Sequence, residues 1–161
     1  MTRIVGTALV HSEEARGWRV STVEYPEGRA HIEHRSRLTQ VLVGDRSGSM
    51  AAPGVPCYST AACTPDGELL VAVRSAPPAL VVTTDGCRVH PADGTGHDSV
   101  FPAAGERLIL LSCNAYEVAP DLLAEEVRAS PGRLALDAPE DLLLALLGPG
   151  GRGAGAVITH D

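Results

Sequence analysis

Apolar and polar positions along the chain predict a long strand-rich part followed by a short helical part. "RIVGTALVHS" and "GWRVSTVEY" read as strands joined by a polar turn, and "PEGR" (26–29) is a turn with Pro26 first and Gly28 third. "AHIEH" reads as another strand. "LTQVLVG" (38–44), apolar and rich in β-branched residues, reads as a buried one that ends at the Gly/Ser-rich loop "GDRSGS". "MAAPGVP" carries two prolines and reads as a linker. The clearest hairpin follows: "CYSTAACT" and "ELLVAVRS" flank the turn "PDG" at 65–67. Pro77 and Pro78 break the chain. "ALVVTTDGCRVHPA" predicts a second hairpin turning at Asp85–Gly86, "DGTGHDSV" a loop, and "ERLILLS" a strand running into the polar corner "CNAYE".

Helical spacing comes late. "APDLLAEEVRAS" starts with Pro120 and Asp121, carries Leu122, Leu123 and Val127 on one face, and is expected to stop at Pro131–Gly132. "DAPEDLLLALLG" places Asp137 three residues before Glu140, a capping-box spacing, with Gly148 where a C-terminal cap belongs. "GPGGRGAG" is a loop and "AVITH" a closing strand. Strands first and helices late predict a single α+β domain over residues 1–161: an antiparallel β-sandwich with C-terminal helices.

Composition narrows the chemistry. With 44% hydrophobic residues the chain can bury a core, but only Trp18, Tyr25, Tyr58, Phe101 and Tyr116 are aromatic, so Leu, Val, Ile and Ala must build it. Few aromatics and a net charge of −7 argue against nucleic acid as a partner. All 13 basic residues are Arg, which excludes lysine nucleophiles and Schiff bases. No charged segment leads into a long apolar run, and no apolar stretch reaches the roughly 20 residues of a spanning helix, so a cytoplasmic protein without membrane contact is expected. The four cysteines, Cys57, Cys63, Cys87 and Cys113, show no CxxC spacing and read as free thiols.

Polar clusters offer candidate sites. On a strand, "HIEH" (31–34) puts His31 and Glu33 on one face; on a helix, His31 and His34 would share one. Either could begin a metal site, with a third ligand from His11, His90, His97 or His160. "HPADGTGHD" holds His90 and His97 near carboxylates, which suits a base near neutral pH. Cys113 at a strand end, with a His nearby, would suit a nucleophile pair, but a buried structural thiol is the favoured reading. "GPGGRGAG" lacks the ending of a phosphate-binding loop, and no nucleophile elbow surrounds Ser59 or Thr60.

Several segments in order resemble one family. "LTQVLVGDRSG" resembles the strand and "GDVSG" segment of the bacterial protein phosphatase 2C-like (PPM) enzymes of the sporulation and stress-regulator type. "YSTAACTPDGELLVAVRSAPPALVVTTDG" and "AGERLILLSCNAYEVAPDLL" are similar to their next hairpin and their "TDG" strand. "RGAGAVITHD" sits where they carry "DDVTLLVL", and "RGWRVSTVEYPEGR" echoes their early "GGD" segment. The resemblance runs from about residue 16 to the end. It implies a two-sheet sandwich with a helix pair on each outer face, and two divalent metals held by aspartates that activate a water.

This chain departs from that pattern at the metal positions. Asp45 alone remains; the early aspartate corresponds to Arg19, the "TDG" aspartate to Asn114, and the final pair to Gly153, Ala154 and Gly155. One carboxylate cannot offset the charge of two divalent ions, and an adjacent Arg worsens the balance. Only "SMAAPGVPC" stands where the family has roughly two helices, so one sheet face is expected to be bare and covered by a second copy of the chain. The expected function is a degenerate phosphatase-like domain, without cofactor beyond a weak divalent metal at Asp45, that binds a phosphoprotein or a regulator. The alternative is a repurposed enzyme acting on a small-molecule substrate in bacterial biosynthesis, with Asp45, Cys113, Asn114, Tyr116 and His97 as candidate catalytic groups.

Overall fold

The computed structural model describes residues 1–45, 50–52, 55–56, 58–74, 76–83, 86–93, 96–113, 115 and 131–160. The predicted helix over 119–130 and the site candidates Asn114 and Tyr116 lie outside these residues, as do Cys57 and Asp85.

Fourteen strands dominate: β1 (Thr2–Val5), β2 (Ala8–Ala15), β3 (Trp18–Glu24), β4 (Gly28–Arg35), β5 (Leu38–Asp45), β6 (Met50–Ala52) and β7 (Val55–Pro56). They continue as β8 (Tyr58–Cys63), β9 (Leu69–Arg74), β10 (Ala79–Thr83), β11 (Gly86–His90), β12 (Gly96–Val100), β13 (Arg107–Leu111) and β14 (Ala154–His160). Among the described residues two helices, α1 (Pro131–Leu136) and α2 (Pro139–Leu147), precede the last strand. Every pairing is antiparallel. One sheet runs β1-β2-β3-β14-β13-β10-β11, the second β12-β9-β8-β5-β4, and β6 pairs β7.

This corrects the α+β reading. Strands hold 60% of the described residues and helices 11%, so the architecture is an antiparallel two-sheet β fold. The closing strand expected at "AVITH" is β14, and it returns between β3 and β13, in the middle of the larger sheet. The "DGTGHDSV" segment, expected to be a loop, supplies β12, because Gly96–Val100 pairs residue by residue with β9. "RIVGTALVHS" splits into two strands at Gly6, whose φ of 61° is a turn conformation open to glycine. Pro131, where a helix stop was expected, is itself helical, within α1. Helix α2 is entered through Ala138 with no side-chain cap bond, so the Asp137–Glu140 capping box does not form.

The core has two layers. Between the sheets lie Trp18, Val20, Val41, Val43, Leu69, Val71, Leu108, Leu110 and Ile158, all buried. On the far face of the seven-stranded sheet, Val23, Ile109 and Val157 meet Leu142, Leu143, Leu146 and Leu147 of α2. Gly155 permits that contact: a Cβ there would stand 2.9 Å from Leu143 Cδ2 and 3.0 Å from Leu111 Cδ2. The helices pack on β2, β3, β10 and β14, all in the seven-stranded sheet. No helix of the described residues is long and apolar enough to cross a membrane.

Candidate functional site

Strand pairing brings four chain segments to one corner. The last residue of β5, Asp45, pairs with Gly28, the first of β4. Gly28 lies against the entry to β14 so closely that a Cβ on it would be 2.0 Å from the Gly153 carbonyl oxygen. The first residue of β14, Ala154, pairs with Glu24, the last of β3. The chain leaving β13 arrives as Ser112–Cys113. Asp45 and Glu24 line one cleft of about 570 Å³ together with Arg29, Ala30 and His31. The Ala30 N–H donates to Glu24 Oε2 at 2.8 Å, which points that carboxylate toward β4.

Backbone and a hydroxyl fill the centre of this corner. Ser112 Oγ accepts the Ala154 N–H at 3.0 Å and the Ala115 N–H at 3.4 Å, while the Ser112 N–H donates to the Ala154 carbonyl at 2.9 Å. A side chain on Gly153 would meet Ser112 Oγ at 2.5 Å and the Ala115 nitrogen at 2.7 Å, and its φ of 85° belongs to glycine. The start of the last strand, which the resemblance would supply with two carboxylates, thus has no room for one at Gly153. Among the described residues, no group of three or more His, Cys, Asp or Glu could hold a metal. Two carboxylates beside a guanidinium do not meet the charge of two divalent cations, so the described donors do not fit that pair.

The remaining candidates separate. Cys113 is half-buried next to Ser112, at the corner's rim. His97 lies on β12, three strands from β5, about 14 Å away across the sheet. It lines a different groove, of about 630 Å³, with Gln40, Leu70 and Ala72. His31 and Glu33 do share a face of β4, as a strand requires. His34 points the other way, toward Thr39 Oγ1 at 3.1 Å and Glu13 Oε2 at 2.9 Å. Glu13 also meets His11 Nε2 at 3.3 Å, tying β4 of one sheet to β2 of the other. Burial raises the Glu13 pKa, but the hydrogen bonds from His34 and His11 outweigh it and leave the net direction downward.

The polar loop after β11 is likewise a clamp. His90 Nε2 accepts from Arg88 Nε at 3.1 Å, so Nδ1 carries the ring proton and donates to Asp98 Oδ2 at 2.7 Å. Both ring nitrogens are engaged, which leaves no free lone pair for a base. The His90 bond, with the Ser99 N–H, holds the Asp98 carboxyl below its ordinary range.

Arg19 does not stand at the corner. It sits five residues from Glu24 on β3, opposite Glu14 and Thr159, with its guanidinium 2.6 Å from Glu14 Oε1. The residue at the corner end of β3 is Glu24, which the sequence reading missed. Counting "WRVSTVE" to its end would have found it, as the acidic residue closing the strand before the "PEG" turn.

Comparisons with known proteins bear on the fold. No protein-family model matches the sequence, and no curated protein matches it. Solved structures do. The chain is similar to the RsbU and RsbW domains of Rv1364c from Mycobacterium tuberculosis, with TM-score 0.52 and 15% identity over 83% of this chain. It spans about half of that protein's length, 55%. It is also similar to the PP2C phosphatase domain with a fragment of the regulatory domain of the cell fate determinant SpoIIE from Bacillus subtilis. There the TM-score is 0.57 and the identity 11%, over 96% of this chain and 71% of that one. A second structure of the SpoIIE phosphatase domain, in a crystal form without domain swapping, gives 0.57 and 13% over 92% and 96%. The chain therefore has the fold of bacterial PP2C-type phosphatase domains.

Proposed function

We propose that this chain is a phosphatase-like domain that acts by binding a protein rather than by two-metal phosphoryl transfer. One observation carries the reading: the corner where β3, β5, β13 and β14 converge is packed by Gly153, Gly28 and the Ser112 hydroxyl. The final pair of carboxylates that the resemblance would place at Gly153–Gly155 has no room at Gly153, and without that pair two divalent ions are not offset. The partner is a phosphoprotein or a regulator, in keeping with similarity to the phosphatase domain and a regulatory-domain fragment of a cell fate determinant. A second copy of the chain is the further partner expected, on the sheet face that no described helix covers.

The test is p-nitrophenyl phosphate hydrolysis with manganese. Phosphate release no faster than buffer is the expected result. Turnover that disappears in Asp45→Asn would overturn the proposal.

The lining of the Asp45 cleft favours a second reading, a repurposed enzyme acting on a small molecule. Glu24, Asp45 and His31 border one opening and could exchange protons with a bound substrate. Saturable binding of a small metabolite that is lost in Glu24→Gln would favour this reading over the first.

A further inference from the structure

The outer face of the five-stranded sheet can be laid out from its register. Val41, Val43, Ala61, Leu69 and Val71 point into the core, so their neighbours in sequence point outward. Across the middle runs the row His97, Ala72, Thr60, Leu42, His31. One step toward the Asp45 end, the row is Arg74, Tyr58, Gly44, Arg29. One step the other way it is Ser99, Leu70, Ala62, Gln40, Glu33, and Glu68 lies just beyond on the β9 side, hydrogen-bonded to Ser99.

Three properties follow. The centre is uncharged, built from Ala62, Ala72, Thr60 and Leu42 along the groove that His97 lines, with Leu70 44% exposed. At one end stand Arg29 and Arg74, neither with an ion pair among the described residues, and Arg29 borders the cleft that holds Glu24 and Asp45. The other end carries Glu68 and the pair Glu33–Arg35, held at 3.0 Å, so its net charge is negative through Glu68 alone, and Glu33 would have to share its carboxylate between Arg35 and an arginine of a second copy. The face therefore has a charge polarity along its strands.

We propose that two copies pack this face against itself, about a two-fold axis that lies in the interface and crosses the strands near the middle row. Such an axis keeps β4 over β4 and β9 over β9 but reverses strand direction. Arg29 and Glu33 are spaced evenly about His31, so each Arg29 meets the Glu33 of the second copy. Arg74 and Glu68 are centred on position 71, one residue from the axis at Ala72, so they stand two residues, about 7 Å, out of register and meet only through their long side chains. The other in-plane axis, along the strands, would set the arginine ends against each other, and it is disfavoured. The face measures about 24 by 20 Å, at the small end for a specific interface, so a dissociation constant in the micromolar range is expected. The pairing rests on the homodimer reading, and one experiment separates the two.

Sedimentation velocity over a concentration series, on the full chain, is the test. The wild type is expected to dimerise at micromolar concentration. Arg29→Glu with Arg74→Glu should weaken it on the order of 100-fold, since like charges then face each other. Adding Glu33→Arg and Glu68→Arg to the same chain should restore it. A wild type that stays monomeric overturns both the pairing and the homodimer. A dimer indifferent to the double reversal overturns this face alone. If circular dichroism shows that a reversed chain has lost its fold, Ala72→Arg, on the axis itself, reads the same interface: it must give a monomer, and a persisting dimer contradicts the proposal.

Discussion

The two sheets are alike on the faces they turn to each other and unlike on the faces they turn away. In the seven-stranded sheet, β13 is buried at four consecutive positions and β14 at five, because α2 covers one side while the other sheet covers the second. In the five-stranded sheet, β9 alternates: Leu69, Val71 and Val73 are buried, while Leu70, Ala72 and Arg74 are not. A strand covered on both sides reads as a continuous apolar run, and a strand covered on one side reads as alternation. The difference teaches which sheet face the described helices leave exposed. The same apolar period that builds a core in one sheet stops at the surface of the other.

The comparison can be broken most forcefully at the helix-covered face. Leu143→Ala should cost about 2–5 kcal/mol in urea unfolding, because Leu143 is fully buried between α2 and Gly155. Leu70→Ala, on the outer face of the five-stranded sheet where Leu70 is exposed, should cost less than about 0.5 kcal/mol in the monomer. Equal losses at the two positions would mean that the five-stranded sheet is also covered.

A smaller effect comes from the polar anchor of α2. Glu140 accepts hydrogen bonds from Ser12 and Ser21 beneath the helix. The Ser12 bond, partly opposed by burial, holds its carboxyl below the ordinary 4.5. A carboxylate depressed in the folded state adds stability that is present above 4.5 and is lost as pH falls through the lower folded value. Glu140→Gln should therefore cost about 1 kcal/mol at pH 7, with the gap to wild type closing below pH 4.5. A gap that widens on acidification would refute the anchor.

The smallest effect is chemical. Burial pushes the Cys63 thiol up to about 12, so it should not react with a disulfide reagent at pH 8 in the native protein. Cys63→Ser should leave the native thiol count unchanged and lower the denatured count by one. A lower native count would place Cys63 at the surface.

Much of the sheet was legible in the sequence. The "PDG" hairpin and "ERLILLS" declare themselves by alternation, turn residues and a sustained apolar run, which are local signals. The place of "AVITH" between β3 and β13 was not legible, because pairing partners distant in sequence leave no periodic trace. The Gly96–Val100 strand was hidden for a related reason: a polar edge strand such as "GHDSV" has only one half-buried face to betray it. At the corner, Asp45 was found through its motif. Glu24 was missed because its role depends on where β3 ends against Ala154. His97 was grouped with Asp45 by polarity alone, although the sheet order holds them three strands apart.

Manganese binding to the purified chain, counted by equilibrium dialysis with metal analysis, tests the central claim most directly. The account predicts no tightly held ion, because Glu24 and Asp45 sit beside Arg29 at a corner whose centre is backbone. Two manganese ions retained per chain, and released by Asp45→Asn, would contradict it.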